Sequence, residues 1–515
     1  MARIHEYQGK KLLEEAGFEI PYGAVASTPQ EALKITQDLI NDGHAPHGVV
    51  LKIQAWTTGR KAVGGVAFAD TPQQAESIAK KLLAIKVGNF PVEQILVEEK
   101  LPIKDELFVS LFIDDAARAP VMLLALVGGS GIESRADLVH RLPIDVKTGL
   151  DQNQLNSIIT DSPLKPELHK PVRNTVNAVF ETARKYEARS VEINPLVTTT
   201  DDRIVATDCR ITIDDYAVFR HPELNIEIAR ELDHPPTPLE RIAYEIEQQD
   251  HRGTFYFAKL PIDPHKPIVG FHGAGGGGSM MSMDAITEAG FSIANFTDTS
   301  GNPSSAKVYR AARIILAQPD LVGYFGSGSG VASQEQFNSA YGLAKAFLEL
   351  NLAIPAVIRL GGNAEDRAVE ILQDACKDLP AKVQAYKKDD TPAFCAERFK
   401  QLVDELLSNQ SQKPPGLHKR TIPSFVGSPD AYSFPITGGT VWINYPKCDE
   451  QTSTFIIEHA ADIFKPNNET GKPELAIPEN EVEDKDSELI ACEIECIRNN
   501  SPALFVNLPI PDLDF

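Results

Sequence analysis

No stretch of this 515-residue chain is apolar for long enough to form a bilayer-crossing helix. Its opening, MARIHEYQGKKLLEEAG, is amphipathic and mixed in charge, without the apolar centre of a secretory leader. Positive charge is in short supply: 50 Lys and Arg stand against 72 Asp and Glu, for a formal net charge of −22. A nucleic-acid backbone or an anionic membrane needs the opposite sign, so neither is an expected partner, although locally gathered Arg and Lys can still hold a small anion. Cysteine is sparse as well. The six cysteines, at 209, 376, 395, 448, 492 and 496, are scattered over a large acidic chain, which fits a reducing cytoplasm and not a disulfide framework. Cys448, Cys492 and Cys496 lack a fourth ligand and Cys-x2-Cys spacing, so ordinary thiols are expected there.

What is present is a soluble globular composition, 42% apolar and 24% charged, in a chain long enough for two to four domains. Up to about residue 230, helix and strand signals alternate. Thr28-Pro29-Gln30-Glu31 and Thr71-Pro72-Gln73-Gln74 each place a capping hydroxyl and a first-turn proline ahead of apolar residues at helical spacing. Residues 48–52, 94–98, 108–113 and 121–127 read as strands of a mixed or antiparallel sheet. Residues 233–265 read as an entry helix and a crossing segment. From Lys266 the order is strand, loop, helix in strict alternation. Strands are expected at 267–272, 291–297, 321–325 and 356–360, and helices at 281–289, 303–317, 334–350 and 364–375. This is the signature of a parallel, doubly wound sheet. Past about Leu407, SNQSQKPPG and a Pro/Gly/Ser-rich stretch suggest a linker or an edge-hugging tail. An acidic block over 479–488 and an apolar end, ALFVNLPIPDLDF, follow, and that end is expected to dock on this chain or on a partner. The expected domains are therefore 1–235, 236–400 and 401–515.

Three sets of residues carry chemistry. A strand-borne Lys52 is followed by Gly59-Arg60-Lys61 and Gly64-Gly65, a basic turn suited to covering a polyphosphate, or simply a solvated loop. Glu192-Ile193-Asn194-Pro195-Leu196 turns back at 198–201 to Asp208. Asn194 and Asp208 on the two arms offer oxygen ligands for Mg2+, or only the polar ends of a hairpin. Finally, Gly/Ser-rich segments follow four strands: His272 to Gly278, Thr299-Ser300-Gly301-Asn302, Gly326-Ser327-Gly328-Ser329-Gly330, and Gly361-Gly362-Asn363. Loops at the carboxyl ends of parallel strands line a ligand crevice, and their amides suit a carboxylate or phosphate. Arg359 adds a potential bidentate contact. The first of these segments also contains G-x-G-x-x-G, with Asp298 closing the next strand, which keeps an NAD-binding oxidoreductase open as an alternative.

Together these motifs resemble the β-subunit of succinyl-CoA synthetase, from His5-Glu6-Tyr7-Gln8 to about Ala375. The most specific element is Glu192 to Leu196 with Asp208 and Val218-Phe219-Arg220. The order Lys52, Gly59-Arg60, Gly64-Gly65, Ile95-Leu96-Val97-Glu98, Glu106-Leu107 is also similar. The resemblance implies an ATP-grasp fold over 1–235, then a flavodoxin-like CoA-ligase domain. It implies ATP or GTP held by Lys52, Gly59, Arg60, Glu98 and Glu106, Mg2+ at Asn194 and Asp208, and Glu192 steadying a phosphohistidine. That histidine and the CoA site would belong to a separate α-type partner in a hetero-oligomer. His272, Ser300, Gly301, Gly326, Ser327, Gly328 and Arg359 would surround the carboxylate. The sequence departs from the family at Trp56, where a His is usual, at the Gly59 turn, and at His272, where the family has Asn. It departs again after Phe325. The last two departures, with Thr299 to Ser304, look more like ATP-citrate lyase and suggest a hydroxylated or bulkier di- or tricarboxylate in place of succinate. His272 as an internal phosphoryl acceptor, and a non-catalytic regulatory relative, remain further alternatives.

Overall fold

The two Thr-Pro signatures each begin a surface helix. Thr28 and Thr71 accept the amides of Glu31 and Gln74 at 3.2 and 3.3 Å, starting helices Pro29–Asn41 and Pro72–Leu82. These helices cover one face of a four-stranded antiparallel sheet ordered Gly23–Ala26, Ile95–Glu99, Val49–Ile53, Val66–Ala69. Val49, Leu51, Ile53, Ile95 and Val97 point into that core. The strand period of two therefore turns Val50, Lys52, Leu96 and Glu98 to the opposite face. A larger antiparallel sheet of eight strands is centred on Ala188–Thr199, between Ile103–Asp114 and Cys209–Ile213. Val191 and Ile193 bury against Val172, Val176 and Val179 of helix Pro166–Lys185, leaving Glu192 and Asn194 on the other face.

These elements form one compact unit, Met1–Pro236, and the remainder a second, Thr237–Phe515. The computed structural model describes residues 1–56, 59–127, 138–250, 252–328, 330, 334–409 and 419–513. Thr57, Thr58, Ser329, most of SNQSQKPPG and the last two residues lie outside them.

The second unit is built on a seven-stranded sheet ordered Tyr256–Lys259, Asn295–Asp298, Ile268–Ala274, Leu321–Gly328, Ala356–Arg359, Val383–Tyr386, with Ser292–Ile293 beside Ile268–Ala274. The parallel strands Ile268–Ala274, Asn295–Asp298, Leu321–Gly328, Ala356–Arg359 and Val383–Tyr386, numbered 1 to 5, run 2-1-3-4-5, the flavodoxin-like doubly wound order, whose switch point falls between Ile268–Ala274 and Leu321–Gly328. Three details differ from the sequence-based expectation. Tyr256–Lys259, read as a crossing segment, adds an antiparallel edge strand. Helix Gly276–Glu288 starts inside the glycine run, five residues before the expected 281. Gly326-Ser327-Gly328, read as a loop, continues a strand because partners flank it on both sides: His272, Gly273 and Ala274 on one, Ile358 and Arg359 on the other. A Cβ on Gly326 would stand 2.9 Å from Ile358 Cδ1, so the glycine serves close packing and not a turn.

The C-terminal region is not an extended tail. Helix Pro392–Asn409 runs through residue 400, and 419–513 folds as an α+β layer of the second unit. Ala431–Ile436, Gly439–Asn444 and Leu504–Asn507 form an antiparallel sheet, so the apolar end docks on its own chain. Helix Asp486–Arg498 packs on Ser305–Leu316 and Phe337–Glu349. Those two helices are buried on nearly every face, and one side of a sheet cannot achieve that alone. Buried pairs fasten the layer: Lys345 to Glu493 at 2.8 Å and Arg420 to Glu349 at 2.8 Å.

Candidate functional site

The first helix, Glu6–Glu15, turns Glu6 and Lys10 inward with Gly9, Leu12 and Leu13. Glu6 sits at the centre of a buried ion-pair network. Its carboxylate receives Lys10 at 2.8 Å, Lys52 at 3.1 Å and the Arg60 guanidinium. Glu98 receives Lys10 and, at 2.9 Å, Lys52. Arg60 reaches on to Asp208 at 2.6 Å, and Lys52 Nζ donates to the Thr207 carbonyl at 2.6 Å. Gly59 and Gly64 adopt left-handed φ of 70° and 72°, folding the turn so that Gly65 N–H bonds the Arg60 carbonyl and Arg60 faces inward.

Burial alone would raise the Glu6 carboxyl, but Lys10, Lys52 and Arg60 outweigh it and hold it well below the usual carboxylate range. Burial acts to lower the Lys52 ammonium, yet Glu6 and Glu98 keep it above its ordinary value. Asp208 goes the other way: burial and the Glu6 charge raise it against Arg60 and Lys52. Three cations and three carboxylates are thus held without full hydration, a costly arrangement unless every charge is paired.

This network floors a cavity of about 530 Å3. Lys52, Gly59, Arg60, Glu98, Glu106, Glu192, Asn194 and Asp208 all line it, so eight residues drawn from distant parts of the sequence meet in one place. Val50, Val66, Phe68, Leu101 and Ile103 give it an apolar wall. An apolar wall beside a cationic floor suits a planar group carrying an anionic tail. At the rim, Thr207 N and Oγ1 both donate to the Pro195 carbonyl, at 3.3 and 2.9 Å, which ties the Asp208 arm to the Asn194 arm. A carboxylate and an amide oxygen on joined arms are hard oxygen donors that fit Mg2+. Glu6 and Lys10 were missed in the sequence; the available signal was an opposite-charge pair at i, i+4 on the apolar face of an amphipathic helix.

The residues expected to surround a carboxylate are treated differently. His272 is buried in its strand, with Nδ1 bonded to Tyr324 Oη at 2.5 Å and Nε2 to Thr299 Oγ1 at 3.0 Å. Burial lowers it to about 4, so it is neutral. With both nitrogens engaged, it is a packed residue, free neither for a substrate nor for a phosphoryl group. Arg359 spends its guanidinium on the carbonyls of Asp390, Gly328 and Lys388 at 2.7, 2.9 and 2.6 Å, which makes it a clamp on strand-end backbone and not an open anion contact. Ser327 bonds Ser282 at 2.7 Å, while Gly326 and Gly328 lie inside the sheet. Ser300 and Gly301 remain partly exposed at the strand ends. Ser300 is held at a left-handed φ of 61° by Asp298, whose Oδ1 accepts both Ser300 N–H and Gly275 N–H, at 2.8 and 2.9 Å. Such strain in a non-glycine residue marks a turn fixed by its surroundings. Asp298 is therefore committed to its own loops, not offered to a ribose as a dinucleotide fingerprint requires.

Comparisons with known proteins identify the relatives of this chain. An ATP-grasp domain family matches residues 3–198. The chain is 33% identical over 375 residues to a GDP-forming succinate–CoA ligase subunit β of Thermus thermophilus, covering 72% of this chain and 93% of that one. It is 31% identical over 410 residues to an ADP-forming succinate–CoA ligase subunit β of Koribacter versatilis, covering 75% and 99%. Among solved structures, an ATP citrate lyase from Methanothrix soehngenii, in complex with citrate and coenzyme A, shares the fold at a TM-score of 0.59 and 20% identity, over 78% of this chain and 99% of that one. With an ATP-grasp domain, a flavodoxin-like sheet and this likeness along most of its length, the chain belongs to the family of succinate–CoA ligase β subunits.

Proposed function

We propose that this chain is the nucleotide-binding half of a carboxylate–CoA ligase, acting with an α-type partner that carries a reactive histidine and the CoA site. The observation that carries the reading is the cavity of the first unit, where Lys52, Arg60, Glu98, Glu106, Glu192, Asn194 and Asp208 meet. The apolar wall takes the base of ATP or GTP, and Lys52 and Arg60 face its phosphates. Asn194 and Asp208 would hold Mg2+, which supplies positive charge against the phosphate oxygens. Arg60 then exchanges part of its pairing with Asp208 for the nucleotide, while Glu6 keeps both cations in place. Glu192 steadies the partner's imidazole.

Three transfers follow. The terminal phosphoryl group moves to an imidazole nitrogen and the nucleoside diphosphate leaves. A substrate carboxylate oxygen takes that phosphoryl group, giving an acyl phosphate and freeing the histidine. The CoA thiolate adds to the acyl carbon and phosphate departs, leaving the thioester. The ATP-grasp part is assigned to 1–235 and the CoA-ligase part to 236–400. Within the latter, the acid sits at the strand-end crevice, against the first-turn amides of helix Gly276–Glu288 and beside Ser300 and Gly301 of the 299–302 turn. The altered strand ends, with His272 and Thr299 packed together beneath the crevice, favour a di- or tricarboxylate bulkier than succinate. The test is diphosphate release by the two-chain complex, with Mg-ATP or Mg-GTP, CoA and a panel of succinate, malate and citrate. Release that needs CoA and one particular acid supports the reading and names the acid. No release with any acid would refute it.

A further inference from the structure

The layer formed by 419–513 touches more than the outside of two helices. Asp486, at the start of helix Asp486–Arg498, is buried, and its carboxylate does two things at once. One oxygen accepts the Arg252 guanidinium and the other the Ala306 amide at 3.3 Å, while the neighbouring Ser487 hydroxyl accepts the Ser305 amide at 3.1 Å. Those amides are first-turn donors of helix Ser305–Leu316, which have no partner within the helix itself, and the helix follows the strand-end turn 299–302. The second contact reaches that turn from beneath. Arg252 also pairs with Asp250 at 3.0 Å, and Lys307 Nζ gathers the carbonyls of Asp250, Arg252 and Gly253 at 2.8, 2.5 and 2.9 Å. Gly253 lies directly against the turn: a Cβ there would stand 3.0 Å from Ser300 Oγ and 3.3 Å from the Thr299 carbonyl.

We infer that the C-terminal layer is a positioning element for the carboxylate crevice, with Asp486 as the residue through which it fixes the 299–302 turn. Asp486 holds the turn from both ends: through the helix start that follows it, and through Arg252 and Gly253 packed under it. Ser304 caps this helix start by accepting the Lys307 amide at 3.1 Å, and Asp486 and Ser487 take the Ala306 and Ser305 amides that the cap leaves, so the strained Ser300 is supported through all three. Asp486 touches no reacting atom. It acts through Ser305, Ala306 and Gly253, and the coupling is carried by directly bonded groups. The role as a carboxylate support rests on the assignment of the 299–302 turn made under the proposed function.

The test compares the full two-chain complex with Asp486→Asn and, as a milder change, Ser487→Ala. Hydrogen exchange of the free chain reads the turn itself. The expected result is faster exchange over 299–306 in both variants, with the sheet strand 321–325 unchanged. Steady-state kinetics then read the consequence: a KM for the acid raised about tenfold in Asp486→Asn, with the KM for Mg-ATP within about twofold of wild type. Unchanged exchange over 299–306, or an equal rise across both segments, overturns the inference, as does an unaltered acid KM in a complex that turns over. If the wild-type complex turns over no acid at all, the ligase reading fails separately, and the exchange result alone decides whether Asp486 holds the turn.

Discussion

The two places where polar residues gather are built on opposite plans. In the first unit, Glu6, Lys10, Lys52, Arg60, Glu98 and Asp208 pair with one another around an open cavity, so the charges are held in place and still face a space a ligand can enter. In the second, the polar side chains beneath the strand ends are consumed internally: His272 by Tyr324 and Thr299, Arg359 by three carbonyls, Ser327 by Ser282. One site offers side-chain charge. The other offers backbone amides on turns whose shape the side chains fix. The same kind of sequence signal, a polar residue at the end of a strand, thus lines a cavity in one unit and bonds to the scaffold in the other. The difference is whether the paired groups also line an open cavity, as Lys52, Arg60, Glu98 and Asp208 do.

The comparison is sharpened first by removing a cation from the cavity. Lys52→Met should lower nucleotide-dependent turnover by about 10²- to 10³-fold, the scale for losing a charged group aimed at developing phosphate charge. Steady-state rates under saturating acid and CoA check this.

Next in size is Glu6→Gln, which leaves Lys10, Lys52 and Arg60 short of one buried carboxylate. It should destabilise the first unit by about 3–5 kcal/mol, read by denaturant melts. Its pH signature follows from the depressed Glu6 carboxyl. That stabilisation is complete above the unfolded carboxyl value of about 4.3 and is lost as pH falls toward the lower folded value. Acid melts of the variant should therefore be flatter than wild type below about pH 4.3.

A third change probes the scaffold. His272 is held neutral down to about pH 4, so between its unfolded value of about 6.5 and pH 4 the unfolded chain binds the extra proton. Stability of the second unit should fall as pH drops through that window, by about 3 kcal/mol in all. His272→Gln should remove most of that slope while leaving the KM for Mg-ATP unchanged. A change in the phosphorylation of the isolated chain on His272→Gln would contradict its packed role.

The smallest effect concerns the thiols. All six cysteines are buried and unpaired, and burial raises Cys209 well above an ordinary thiol and Cys376, Cys395 and Cys448 to about 12. Brief treatment of the native chain with iodoacetamide should leave activity within about twofold.

Much of the first site was legible because strand alternation carries it. Once Val49, Leu51 and Ile53 are assigned to a core, Lys52 has only one face to occupy. Glu192 and Asn194 follow from Val191 and Ile193 in the same way. Glu6 escaped notice because a Glu–Lys pair on a short helix is normally solvated, and only tertiary packing turns it inward. The second unit was less legible because residue type does not report exposure: both His272 nitrogens are bonded and Arg359 donates to three carbonyls, contacts that no local pattern reveals. The C-terminal layer did have a signal. Helices 305–316 and 337–349 carry apolar residues on more than one face, and such helices need cover from somewhere else in the chain.

The most direct test of the central claim is a calorimetric titration of the isolated chain with Mg-ATP and Mg-GTP, repeated on Lys52→Met. The account predicts saturable binding of at least one nucleotide by the wild-type chain, and its loss in a variant that still melts cooperatively. Failure of the wild-type chain to bind either nucleotide, or undiminished binding by Lys52→Met, would contradict it.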